Sequence, residues 1–176
     1  LTATPNEIQQ GEEVTFDARD SDPIEGVIAE YKWDFGDGTK TTTIAGFTSH
    51  QFLKSGQFNV KLTVTNDQGG EDSTTALVRV NGAPEINLSI PEVVRSGDIV
   101  QLDASGTIDP EGGPMKFSWD LNFLEDSDGD SDPRNDVDST EELVYLPTEN
   151  SGTITGSLTV DDGVGGISSE QFTIEV

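Results

Sequence analysis

Tyr31-Lys32-Trp33-Asp34-Phe35-Gly36-Asp37-Gly38 decides the fold. Tyr31, Trp33 and Phe35 alternate with polar residues, which in a strand puts all three aromatic rings on one face. Asp37-Gly38 then closes the run with a tight-turn signal, since glycine takes a positive φ without steric cost. The same alternation recurs in both directions. Val14, Phe16 and Ala18 form an earlier face, and Phe58, Val60, Leu62 and Val64 a later one. No stretch carries a helical period. Short strands separated by Gly, Asp and Asn turns predict an all-β, antiparallel sandwich.

The pattern occurs twice. Trp119 follows Trp33 by 86 residues, and at that offset Pro5 meets Pro91, Gly11 meets Gly97, Val14 meets Val100, Asp17-Ala18 meets Asp103-Ala104 and Tyr31 meets Phe117. Beyond the tryptophans the offset becomes 96, matching Leu62 to Leu158, Val64 to Val160 and Gly69-Gly70 to Gly165-Gly166. The second copy therefore carries ten more residues (96 − 86) after its tryptophan. Two tandem sandwiches are expected, at residues 1–80 and 85–176, with a short linker at 81–84 and an Asp-rich insertion at 122–138. Each is large enough for one core.

The chain has 34 acidic and 9 basic residues, a formal charge of −25. The excess is uneven: residues 1–82 have 13 acids against 6 bases, and residues 83–176 have 21 against 3. Such a surface repels phosphate backbones and anionic lipid, so nucleic acid and membranes are poor partners, and it attracts cations. No apolar run reaches the roughly 20 residues of a membrane span, so membrane insertion is not expected. There is no cysteine, which removes disulfides and thiolate metal sites. The chain opens on Leu1-Thr2-Ala3 without a basic and apolar leader and reads as a piece of a longer protein.

Residues 31–38, with Val14-Thr15-Phe16-Asp17-Ala18, Ser49-His50-Gln51-Phe52 and the run from Ser55 to Thr65, resemble PKD (polycystic kidney disease) domains. The second copy resembles them less fully. Trp119-Asp120 and Leu158-Thr159-Val160-Asp161-Asp162 fit, but Leu121-Asn122-Phe123-Leu124 replaces the Gly-Asp-Gly turn. The resemblance implies a seven-stranded immunoglobulin-like sandwich in each copy. It also implies a noncatalytic extracellular module of a prokaryotic surface or secreted protein.

The Asp-rich run is the main candidate site. Asp126, Asp128 and Asp130 have the 1-3-5 spacing of an EF-hand loop, but Ser131 and Val137 stand where that loop needs Gly and Glu. The series Asp126, Asp128, Gly129, Asp130, Asp132, then Asp136 and Asp138, is closer in pattern to thrombospondin type 3-like Ca²⁺ loops. Hard cations take six to eight oxygen ligands, which crowded carboxylates supply. The plainer reading is a solvated acidic loop.

A second, weaker class lies at the sandwich poles, where strand order should gather Asn6, Asp20, Asp22, Asn66 and Asp67 in copy one. The same order gathers Asp109, Glu111, Asp161 and Asp162 in copy two. The collagenase PKD resemblance implies Ca²⁺ ligands at Asp22, Asp67, Asp109 and Asp162, against the alternative of ordinary turn capping.

No catalytic constellation is legible: His50 is the only histidine, and no nucleophile, zincin or phosphate-loop motif is present. Trp33 and Trp119 are expected in the cores. Of the remaining candidate sugar-stacking rings, Phe47, Phe52, Phe123 and Tyr145, most are expected there too. The expected function is a calcium-stiffened spacer or adhesive stalk, outside the cell, whose expected partners are neighbouring domains of the same chain, with polysaccharide or a surface protein as further candidates. The alternative is an accessory polysaccharide- or protein-binding segment of a secreted hydrolase.

Overall fold

The computed structural model describes residues 1–124, 131, 132, 134 and 136–176. Among them every regular element is a strand, and no helix is long and apolar enough to cross a membrane. The chain divides into two compact units, Leu1–Gly82 and Ala83–Val176, each with its own core.

Unit one contains β1 (Thr2–Thr4), β2 (Glu7–Gln9), β3 (Glu13–Asp17), β4 (Ile28–Asp34), β5 (Lys40–Thr43), β6 (Phe47–Gln51), β7 (Gly56–Asn66) and β8 (Glu71–Asn81). One sheet runs β1-β3-β6 and the other β2-β8-β7-β4-β5. Eight strands replace the expected seven because the first is divided: β1 pairs antiparallel with β3, and β2 pairs parallel with β8. The alternating residues meet between the sheets. Trp33 lies opposite Leu62 and Tyr31 opposite Val64 in the β4–β7 ladder. From the facing sheet, the Phe16 ring reaches Trp33 at 6.3 Å and Phe35 at 5.5 Å. Trp33 is buried, and its indole Nε1 donates to Thr43 Oγ1 at 3.0 Å, which satisfies its one polar atom.

The turn from β4 to β5 depends on Gly36. Its φ is +81°, and a Cβ there would stand 3.0 Å from the Asn59 carbonyl oxygen. Only glycine fits both conditions without strain.

Unit two contains β9 (Ile99–Asp103), β10 (Lys116–Asp120), β11 (Leu143–Pro147), β12 (Thr153–Asp161) and β13 (Ile167–Glu175). Its sheets run β10-β12-β13 and β11-β9. Phe117 lies opposite Val160 and Trp119 opposite Leu158, so this core too is built around a buried tryptophan. The Trp119 Nε1 donates to the Glu141 carbonyl at 2.7 Å. Seven full strands are not found among the described residues of this unit. Isolated bridges stand in other places: Val93 with Glu175 in parallel, and Ser89 with Asp103 and Trp119 with Ser139 antiparallel. The Val93–Glu175 bridge is the offset counterpart of the Glu7–Arg79 pair between β2 and β8.

Candidate cation sites

At one end of unit one, the loop between β3 and β4 meets the loop between β7 and β8. Asn66 Nδ2 donates to the Glu25 carbonyl at 3.3 Å. Asp67 Oδ1 accepts the Val27 amide at 3.2 Å, and the Asp67 amide donates to the Val27 carbonyl at 3.0 Å. Asp22 Oδ1 accepts the Ile24 amide at 2.9 Å. Asp22 and Asp67 thus occupy adjoining loops, and each caps a backbone amide. An open cleft of about 380 Å³ lies here, lined by buried Leu62, half-buried Val64 and exposed Asp22, Glu25 and Asp72. Asp20 is exposed. Asn6 is not at this end. Its carbonyl accepts the Arg79 amide at 2.9 Å, near the finish of β8, because the chain travels along the sandwich as it changes sheets after β1.

In unit two, Asp109 Oδ1 accepts the Glu111 amide at 2.7 Å, and Asp161 Oδ1 accepts the Gly163 amide at 2.7 Å. Asp162 is buried, and its Oδ1 accepts the amides of Val164 at 2.8 Å and Gly166 at 2.9 Å. These are charge-assisted bonds that organise the turn from β12 to β13.

Of the main candidates, Asp126, Asp128 and Asp130 lie outside the described residues, whereas Asp132, Asp136 and Asp138 are described. Asp132 Oδ1 accepts the Arg134 amide at 3.2 Å. The segment at 138–139 runs along the edge of β10: Asp138 N donates to the Trp119 carbonyl at 2.7 Å, and Trp119 N donates to the Ser139 carbonyl at 2.8 Å. The Asp138 carboxylate turns toward the strand end, where Oδ2 accepts the Leu121 amide at 2.7 Å. Asp136 is buried at 4% exposure.

Asp120, the last residue of β10, was not among the expected ligands. It is 3% exposed; Oδ1 accepts the Asn122 amide at 3.2 Å, and Oδ2 is buried with no hydrogen-bond partner. Burial pushes its carboxyl pKa above the ordinary value, and the charges of Asp138, Asp136 and Asp132 push it further, against the Asn122 amide, which lowers it. Its neighbourhood is therefore acidic and partly dry, and the donor set is all oxygen, which fits a hard divalent cation. Among the described residues, no three acidic or histidine side chains gather closely enough to hold a metal ion by themselves.

The aromatic candidates divide. Phe52 is buried and Phe123 half-buried, but Phe47 is 53% and Tyr145 60% exposed. Both exposed rings stand on outward-facing positions of β6 and β11, where the alternation carries Thr48, Val144 and Leu146 inward instead.

Residues 1–80 match the family described as PKD domain. The collagenase ColA of Clostridium perfringens is 39% identical over 121 residues, which cover 62% of this chain and 10% of that protein. The pre-pro-metalloprotease PrtV of Vibrio cholerae is 30% identical over 101 residues, 57% of this chain and 11% of that one. The chain thus spans about a tenth of the length of these relatives. Among solved structures, the C-terminal fragment of intimin, in complex with the intimin-binding domain of its receptor, has a TM-score of 0.49 at 15% identity, over 97% of this chain and 61% of that one. A carbohydrate-binding module of the β-sandwich superfamily has a TM-score of 0.45 at 17% identity, over 99% and 82%. Residues 1–80 are a PKD domain, and the all-β sandwich they build is the immunoglobulin-like fold of that family.

Proposed function

We propose that this chain is a noncatalytic accessory segment of a secreted protein, two sandwiches in series that act as a spacer, with calcium ordering the acidic run of the second. The observation that carries the reading is the PKD match in residues 1–80, together with relatives that are a collagenase and a metalloprotease and of which the chain matches only a tenth. A secreted protein works where calcium is plentiful, and the −25 charge favours its uptake. The second unit is read as another PKD-like sandwich. Its buried tryptophan and the Val93–Glu175 pairing at the repeat offset support that reading.

Calcium bound to the folded state alone stabilises that state by mass action. The test is calorimetric titration of the EDTA-stripped chain with Ca²⁺ alongside thermal melts. Uptake and a raised Tm are expected; identical melts with and without Ca²⁺ refute the ion's role.

A second reading, substrate contact on behalf of a hydrolase, is favoured by exposed Phe47 and Tyr145, since outward rings are what stack on a fibre or sugar. Co-sedimentation with insoluble collagen and with insoluble polysaccharides separates the two. A spacer stays in the supernatant, and a contact module sediments and loses that property on Phe47→Ala or Tyr145→Ala.

A further inference from the structure

We propose that Asp120 is a ligand of a divalent cation, held between the end of β10 and the segment 136–138. The inference rests on the calcium reading of the acidic run and extends it to a residue outside that run. The first observation is the orphaned oxygen: Asp120 Oδ2 is buried and unpartnered while Oδ1 is bonded to the Asn122 amide. An ionised carboxylate is not kept out of water without a compensating charge.

The second observation is a comparison between the two tryptophan strands. In unit one, Asp34 follows Trp33, Lys40 precedes Thr41, the cross-strand partner of Trp33, and Lys40 Nζ sits 2.7 Å from Asp34 Oδ2. In unit two, Asp120 follows Trp119, and the residue preceding its partner Ser139 is Asp138. An ammonium group has been exchanged for a carboxylate at the same point of the fold. The three bases of unit two do not replace it: the Arg134 guanidinium lies 5.8 Å over the Phe123 ring, Lys116 stands at the opposite end of β10, and Arg95 lies in the loop before β9 of the other sheet.

A small divalent ion restores the missing positive charge. Asp120 and Asp138 supply carboxylate oxygens from either side, buried Asp136 stands in the same segment, and water and backbone carbonyls fill the rest of a six- to eight-oxygen shell. The ion ties the residues after the insertion to the strand that bears the core tryptophan, so its binding is felt by the whole of unit two.

The test compares wild type with Asp120→Asn, each stripped with EDTA, titrated with Ca²⁺ by calorimetry and melted with and without the ion. Asp120→Asn removes a buried charge at nearly constant volume, so its EDTA-state Tm is expected to equal or exceed that of wild type. Its Ca²⁺ affinity is expected to fall by about tenfold or more, the direction set by losing ligand charge. If the amide variant does not fold by far-UV circular dichroism, Asp120→Ser, smaller and able to accept the Asn122 amide, is read in the same way. Undiminished affinity and stoichiometry in a folded variant overturn the inference and leave the calcium reading standing. Absence of Ca²⁺ uptake by wild type overturns both.

Discussion

His50 Nε2 lies 2.7 Å from Asp37 Oδ2, which joins the turn between β4 and β5 to β6 of the facing sheet. The imidazole is stacked on Phe35 at 4.0 Å and meets Phe52 edge-on at 4.8 Å. Asp37 Oδ1 accepts the Thr39 hydroxyl at 2.6 Å and the Thr39 amide at 2.9 Å. The only histidine is thus a clasp across the end of the sandwich. His50→Ala is expected to lower the stability of unit one by about 1–3 kcal/mol, since it strips a bond from a charged partner. Urea denaturation of the fragment 1–82 measures it.

Acid should loosen unit one through two aspartates. Hydrogen bonds from the Arg19 side chain and amide hold the Asp17 carboxyl down from 3.8 to about 2. Burial pushes Asp37 up, but the Thr39 hydroxyl, His50 and the Thr39 amide together leave it lowered. A carboxyl lowered by folding contributes stability that is complete above its unfolded value and is lost as pH falls through the folded one. The Tm of the fragment 1–82 is therefore expected to fall between pH 3.8 and about 2. In Asp17→Asn with Asp37→Asn, that slope should flatten.

Trp33→Ala should cost about 3–5 kcal/mol, the range for emptying an aromatic site in a core. Thr43→Val leaves the indole N–H without its acceptor at nearly the same volume and should cost about 1–3 kcal/mol. Chemical denaturation of each variant distinguishes the packing contribution from the polar one.

Gly156→Ala should destabilise unit two by about 1–3 kcal/mol, the usual cost of overpacking. A Cβ at this position would overlap the Asp120 carbonyl oxygen and stand 2.5 Å from the Phe172 ring. In a calorimetric scan the transition of unit two should move and that of unit one should not.

Asp128→Ala with Asp130→Ala should weaken Ca²⁺ uptake without unfolding the sandwich. Calorimetry beside far-UV circular dichroism checks both halves of that expectation. Unchanged uptake would move the ion away from Asp128 and Asp130, either to Asp120 and Asp138 or to the poles, where Asp22, Asp67, Asp109 and Asp162 each cap backbone amides.

Much of the fold was legible because it is periodic. Val14 and Phe16 on β3, and Trp33 and Leu62 on β4 and β7, face the core by simple alternation, which depends only on neighbours in the chain. The same parity would have placed Phe47 and Tyr145 outward, had it been followed rather than their hydrophobic character. The division of the first strand between two sheets was not legible, since what decides it is the pairing of Glu7 with Arg79, far along the chain.

By itself the sequence determined the strand content, the aromatic plugs and the acidic excess, because side-chain parity and charge are local properties of the chain. It did not distinguish Asp34 from Asp120, each following a tryptophan on the same strand of its repeat. Only the tertiary structure set Lys40 beside the first and buried an oxygen of the second without a partner. The reason is that the free energy of a carboxylate depends on what other segments bring within a few ångströms of it, and those segments lie many residues away.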